Sequence, residues 1–527
     1  MSAEISKPKH GKKRLIVCCD GTWMNSDYGF VKSGPFGDKG TLQVPSNVTR
    51  ISRCFKRRCA DGTLQIISYQ SGVGTGSNLL DNITGGAFGI GLAERAEKRV
   101  RETYAHLCAN YSDGDEIFLV GFSRGAFTAR SVAGMIGQLG LLTREGVEHF
   151  YPIFKDMQNW QNDDYDDPFP TVPFRDKPKG PDADDEYRQR LEKLGFTRVT
   201  QASGDLIKVK AWHDTALSDR IEHAFQALAL DETRAPFSPA VWERRKTDTT
   251  DLRQVWFPGN HGNCGGGWDD QGIANCTLAW MMDQMASVGV EFDTTSLKRV
   301  IDRNNAFYES LPPQVKRTRT GRRVRHWAVE QIHRGNTPLR PWALGAIRNT
   351  GGLLYAISGR TVRTPGMYKQ VDRKTTKRKD EFLQQTSERV HSSVRVRLAC
   401  QGLGLDDKAV WKCEALADWR LKRAVFAQDR DDEPIQPGEN SSSSSSSSSR
   451  PYDRYQGQPS REGWMWAYEG DEPNTCKQKI MVEERLGPHE QYLLELTGGK
   501  PNVYEFADRS ASHGKRREVS KHASHTY

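Results

Sequence analysis

Five residues carry the clearest chemical signal in the chain. Gly121-Phe122-Ser123-Arg124-Gly125 fits Gly-x-Ser-x-Gly, the turn that lifts a serine nucleophile out of a strand-to-helix bend. The glycines allow the chain to turn tightly and leave room beside the helix. The serine oxygen then projects from the carboxyl edge of a sheet. The backbone N–H of Arg124, at the helix N-terminus, is placed to stabilise a developing oxyanion. The bare pattern is short, and its context gives it weight. An apolar strand over 116–120 precedes it, and helical periodicity over 124–142 follows. The other reading is a glycine-rich turn needed only for close packing.

A serine needs a base, and the base needs an acid to orient it. In α/β-hydrolases the chain order is serine, acid, histidine. Asp214 closes the strand-like run that ends in Ala211-Trp212-His213-Asp214-Thr215, and His261 follows the run 252–257 and opens a glycine-rich loop. Both positions fall on the sheet edge expected to carry Ser123. His213 and His223 compete for the base, and Asp219, Asp269 and Asp270 for the acid. The second oxyanion donor is expected after an early strand, at the backbone N–H of Gly21 or Thr22. The plainer reading there is a turn, with Asp20 as a helix cap. This chemistry requires no metal or organic cofactor. The loops 72–77 and 85–91 fit neither a dinucleotide fingerprint nor a phosphate-binding loop, so they read as substrate-side loops or tight turns.

These residues need a scaffold, and the apolar runs supply one. Strands are expected at 14–20, 64–70, 116–120, 206–212 and 252–257, and helices at 92–110 and 124–142. Strands alternating with helices predict an α/β fold: an α/β-hydrolase-like, mostly parallel sheet flanked by helices. The catalytic domain is expected over 14–285. Residues 145–200 interrupt it as an acidic, proline-rich insertion, read equally as a cap or a disordered loop. Beyond it the sequence reads as a helical, Arg-rich region (286–428), a linker with nine consecutive serines (429–450), and a small partly ordered region (451–507). Residues 1–13 and 508–527 read as a disordered basic leader and tail.

Several pieces occur in an order that resembles a known family: RLIVCCDGT (14–22), NVTR (47–50), SYQSGVGTG (68–76), VGFSRGAFTA (120–129), AWHDT (211–215), HAFQALALDETRAPF (223–237) and QVWFPGNHGNCGGG (254–267). Together they resemble domain of unknown function 2235, the catalytic-domain family of type VI secretion phospholipase effectors, which has many uncharacterised fungal members. The resemblance spans roughly 12–285, with weaker echoes at 389–397. It implies a triad of Ser123, Asp214 and His261, and hydrolysis of lipid carboxyl esters. The chain departs from the family pattern twice. Met24 interrupts the early Asp-Gly-Thr-Trp-Asn motif, and Asn263 replaces the aspartate of the histidine loop. Nothing in the sequence marks a secreted toxin, so a secretion role is not carried over.

Composition limits the alternatives. The chain has 527 residues and a net charge of +9. Residues 101–300 carry 22 Lys+Arg against 31 Asp+Glu, whereas 301–400 carry 21 against 7. The basic block reads first as a solvated helical face, and otherwise as a site of peripheral contact with an anionic membrane surface. A transmembrane helix is not expected, since there is no apolar run of ~18 residues. The polar N-terminus lacks a signal-peptide h-region, so a cytoplasmic or nuclear location is expected. Ten cysteines without a Cys-x-x-Cys pair point to reduced thiols. Two other function classes fit parts of the sequence. One is a catalytically idle hydrolase fold used for interaction, although no triad residue is lost. The other is a nucleic-acid-associated protein using the basic block, which lacks any helix-turn-helix, zinc or RNP signature. The sequence favours a serine hydrolase acting on a lipid or small ester.

Overall fold

The computed structural model describes residues 11–21, 30–32, 40–42, 44–72, 88–162, 164–180, 182–211, 220–244, 247–310, 340–348, 359–371, 378–427, 460–471, 476, 478–497 and 503–512. Ten strands form the main sheet. In chain order they are β1 (Lys13–Cys19), β2 (Leu64–Gln70), β3 (Glu116–Gly121), β4 (Val209–Ala211), β5 (Ile221–Ala229), β6 (Asp251–Phe257), β7 (Glu388–His391), β8 (Trp419–Ala427), β9 (Ser460–Tyr468) and β10 (Ile480–Glu484). Their spatial order is β8-β9-β10-β7-β6-β5-β4-β3-β1-β2. The run from β2 to β10 is parallel throughout, and the β8–β9 hairpin closes one edge antiparallel. The fold is the α/β-hydrolase-like sheet expected from the sequence.

The central strands read as continuous apolar runs because both faces of the sheet are covered. In β1, Leu15, Val17 and Cys19 face a core built with Tyr104 and Val132, while Ile16 and Cys18 face another built with Phe257 and Trp280. Helices α1 (Asn47–Ser52), α2 (Phe88–Asn110) and α3 (Arg124–Leu139) connect and cover these strands. The ten cysteines form no disulfide, and eight of them are buried. No helix among the described residues is long and apolar enough to cross a membrane.

The structure differs from the expected organisation in three places. The described residues of 145–200, expected as a cap or a disordered loop, contain two packed helices. Helices Phe150–Asn159 and Ala183–Lys193 bury Phe150, Ile153, Phe154, Tyr187 and Leu191 against α2 and α3. Their acidic surroundings are partly neutralised by Lys177, whose Nζ donates to Asp156 (3.0 Å) and Asp167 (2.7 Å). Second, 286–428 is not simply helical. Helix Thr294–Ser310 is followed by β7, which lies parallel to β6 with Gln254 opposite Glu388, and by β8. Strands β9 and β10 of the third region then complete the same sheet. Long-range pairing of this kind leaves only a faint local signal.

Third, four arginines of the described basic block, Arg363, Arg389, Arg395 and Arg397, are buried, while its other described lysines and arginines are exposed or half-buried. Arg389 donates to Glu484 at 3.0 Å, and Arg397 donates to the carbonyls of Ala343 (2.7 Å) and Gly345 (2.9 Å). Arg395 is 1% exposed. Its guanidinium forks onto both oxygens of Glu483 at 2.8–3.0 Å and reaches Asp508 at 2.8 Å. It also lies 5.3 Å from the Trp464 ring centroid and 5.2 Å from that of Tyr504. One side chain therefore ties β9, β10 and the helix Glu505–Ser512 together. Arg395→Met would leave Glu483 buried without its cation, a loss of about 3–5 kcal/mol. It should lower the melting temperature sharply in thermal denaturation, and Arg395→Met with Glu483→Met should recover most of the loss.

Candidate active site

Ser123 sits between β3 and α3 with φ 56° and ψ −122°. A non-glycine residue held there is strained by roughly 1–3 kcal/mol. Close packing at both flanking glycines enforces the turn. A Cβ on Gly121 would lie 2.6 Å from the Gly125 carbonyl oxygen, and a Cβ on Gly125 would lie 2.1 Å from that of Cys19. The N-terminus of α3 thus presses directly on the end of β1. The Arg124 N–H makes no hydrogen bond within the described residues and heads the helix.

The loop after β1 lies against the serine, and a Cβ on Gly21 would stand 3.2 Å from that of Ser123. Its N–H, however, donates to Asp20 Oδ1 at 2.7 Å. In this conformation the Gly21 N–H is engaged by Asp20. Thr22, the alternative, lies outside the described residues. Asp20 also accepts from Ser46 Oγ (2.7 Å), Thr49 Oγ1 (2.7 Å) and Tyr69 OH (2.8 Å). Burial raises its pKa despite these donors. Asp20 fastens β1 to β2 and to the start of α1, where Ser46 is the cap.

His261 begins the short helix His261–Gly265, directly after β6. Asn260 and Asn263 cap that helix reciprocally, with Asn263 N–H donating to Asn260 Oδ1 and Asn260 N–H to Asn263 Oδ1. Asn263 Nδ2 also donates to the Ala346 carbonyl at 2.8 Å. An ionised aspartate could not make that bond, so the departure at Asn263 has a structural reason. The His261 ring stacks on Phe122 (centroids 4.6 Å apart) and meets Phe237 edge-on (5.0 Å). Its Nε2 is sealed from solvent and has no hydrogen-bond partner among the described residues, although the residue as a whole is half-buried.

Burial drives the His261 pKa down to about 4; Glu232 opposes this, while Arg234 and Arg363 reinforce it. Glu232 Oε2 accepts the His261 backbone N–H at 3.2 Å. The same carboxylate is clasped by Arg234 through Nε (2.8 Å) and Nη2 (2.7 Å). At neutral pH the imidazole is uncharged, as a proton acceptor must be.

Ser123 and His261 line one cavity of about 900 Å³, together with Arg124, Glu232, Arg234 and Arg363. Among the described residues lining it, Glu232 is the one carboxylate. Of the rival bases and acids, His223 pairs with Asp251 (3.4 Å) at the start of β5, away from the cavity. Asp270 accepts from Tyr308 OH (2.6 Å) and Ala346 N–H (2.9 Å), and Asp269 is exposed. Asp214, His213 and Asp219 lie outside the described residues. Glu232, Arg234 and Arg363 were not singled out as site residues from sequence. The first two stand in the DETR segment, whose pattern alone shows no direction.

Residues 13–284, just over half of the chain, match the model of the Tle1-like phospholipase effector catalytic domain of type VI secretion systems. The chain belongs to that family. Its Tle1-like domain therefore carries the catalytic fold of a phospholipase family, which supports a hydrolase. The chain is also similar to the uncharacterised protein YEL023C of Saccharomyces cerevisiae, with 24% identity over 238 residues, 43% of this chain and 32% of that protein. The chain thus matches about a third of that relative's length. No solved structure matches the chain.

The electrostatics of the Tle1-like site can be tested directly. In protein labelled at histidine with ¹³C, the His261 signal, assigned by its loss in His261→Gln, should titrate near pH 4 in NMR. Glu232→Gln removes the charge that favours the imidazolium, so the titration should move lower. A midpoint near the ordinary histidine value would mean that the ring is open to solvent.

Proposed function

We propose that the protein is a serine esterase that cleaves carboxyl esters of lipids. The observation that carries this reading is the strained Ser123 turn, packed through two glycines and sharing a cavity with a half-buried, neutral His261. In the reaction, Ser123 Oγ attacks the ester carbonyl and His261 takes its proton. The Arg124 N–H stabilises the oxyanion, with a second donor from the loop that contains Gly21 and Thr22. His261 then protonates the leaving alcohol, an acyl-enzyme remains, and water releases it by the same steps. No step calls for a metal or cofactor.

Asp214 is the proposed orienting acid. It follows β4, the strand next to that of the serine. Glu232 is a second reading, favoured by its buried position at the His261 end of the cavity. It follows β5, which lies between β4 and the histidine strand. The rim also suits a lipid: Phe127 is 56% exposed one turn beyond Ser123, and Arg124 is exposed beside it.

Fluorophosphonate labelling with a panel of phospholipid and short-chain esters tests the proposal. Wild-type protein should label, and Ser123→Ala should abolish labelling and lower kcat by at least about 10⁴-fold. His261→Ala should do the same. Asp214→Asn should cost about 10³–10⁴-fold if Asp214 is the acid, and that loss should fall on Glu232→Gln instead if the second reading holds. Folded wild-type protein that neither labels nor cleaves any ester would favour an idle fold.

A further inference from the structure

The cavity holds one group for which the proposed chemistry gives no role. Arg363 is only 3% exposed, yet it lines the cavity. It comes from beyond the matched domain, in the stretch 359–371. That stretch lies against the segment after β5: Thr361 N–H donates to the Thr233 carbonyl at 2.8 Å, and Arg360 bridges Arg234. Arg363 Nη2 donates to the Phe237 carbonyl at 2.6 Å. That is its one hydrogen bond among the described residues, from a guanidinium with five N–H donors. No carboxylate lies within ion-pair distance of it among the described residues.

The neighbouring charges compensate it only in part. Glu232 is already engaged by both arms of Arg234, whose guanidinium also stacks 3.8 Å from the Phe237 ring centroid. Burial and Arg234 lower the Arg363 pKa, while Tyr368 and Glu232 support it. Its ordinary pKa is so high that it stays charged. A buried cation without a partner is costly, and an arriving anion removes that cost.

The same cavity has an apolar lining, with Val48 and Ile51 from α1 and Leu278, Met281 and Met285 from the helix Gly272–Ser287. Phe237 holds Arg363 through its carbonyl and packs its ring against His261. An anion at Arg363 would therefore sit near His261.

Resting on the esterase reading above, we infer that Arg363 is a specificity-determining residue that binds a phosphodiester close to the scissile ester, while the acyl chain lies on the Met281–Met285 wall. Planar, bidentate recognition of phosphate is what a guanidinium does best.

The test compares wild type, Arg363→Gln and Arg363→Lys on phosphatidylglycerol and on diacylglycerol with the same acyl chains, in mixed micelles, and on p-nitrophenyl butyrate. Arg363→Gln should lower kcat/KM for phosphatidylglycerol about 10- to 100-fold, mainly through KM, as expected for lost charge-assisted bonds. Any effect through His261 should fall equally on all three substrates, so the two uncharged esters should lose clearly less than phosphatidylglycerol, and Arg363→Lys should recover part of the extra loss. Equal losses on all three substrates would mark a structural residue and overturn the inference, as would no loss on phosphatidylglycerol.

A binding arm is independent of turnover. By calorimetry, Ser123→Ala protein should bind glycerophosphoglycerol, and the Ser123→Ala/Arg363→Gln double variant should not. Inorganic phosphate binding as tightly would identify a free-phosphate site and overturn the headgroup assignment. If wild type fails to label but the binding difference stands, the esterase reading falls and the phosphodiester site remains.

Discussion

The site depends on the contact between Gly125 and the end of β1. Backbone meets backbone there with no room for a Cβ, so α3 can only start where the chain has turned through Ser123. The left-handed conformation at Ser123 is the geometric consequence. Parallel pairing of β1 with β3, Arg14 opposite Glu116 through Cys19 opposite Gly121, sets the register that brings the two chain segments together. The Asp20 cluster then holds the β1 end to β2 and α1, so the strained serine rests on a rigid neighbour. Strain at one residue persists because the surrounding bonds over-determine it.

At His261, burial and neighbouring charge together set the protonation state. His261 lies between aromatic rings, where burial alone favours the neutral form. Two arginines push in the same direction, and one glutamate pushes back. Because Arg234 clasps Glu232, that carboxylate is held below its ordinary pKa and remains charged beside the histidine. The balance leaves the ring neutral at neutral pH, with its nitrogen lone pair free, and the Glu232 charge nearby favours the imidazolium if it forms.

The sequence made the local parts of this arrangement legible. Ser123 could be placed because its glycines, the preceding apolar strand and the following helix are contiguous, and His261 because it follows the next clear strand signal, 252–257. The observed bounds of β2, β3, β6 and α2 lie within a few residues of those expected. What stayed hidden depends on partners far along the chain. Strand β5 was not picked out, since Ile221–Ala229 mixes polar and apolar residues without clean alternation. Arg389, Arg395 and Arg397 looked like a solvated face because Glu483, Glu484 and Asp508, which neutralise two of them, stand about a hundred residues later. Arg363 carries no local mark at all. Its role comes from a crossing of two irregular segments that no periodicity describes.

The same long-range pairing bears on where the catalytic unit ends. The family match stops at 284, but the histidine strand does not stand alone there. Strand β7 pairs along β6, Glu388 accepts from Trp256 Nε1 at 3.0 Å, and His391 stacks on Phe257 at 4.3 Å. The helix that begins with His261 is tied down by carbonyls of the 340–348 segment: Asn260 donates to Arg348 at 2.6 Å, and Asn263 to Ala346. Without the later residues, β6 would be a bare edge with Trp256 uncovered, and the cap that aims His261 would lose two of its bonds. The C-terminal strands are therefore part of the hydrolase fold rather than a separate unit attached to it. They cover the strand that leads into His261, and the stretch leading into them brings the buried Arg363 to the cavity.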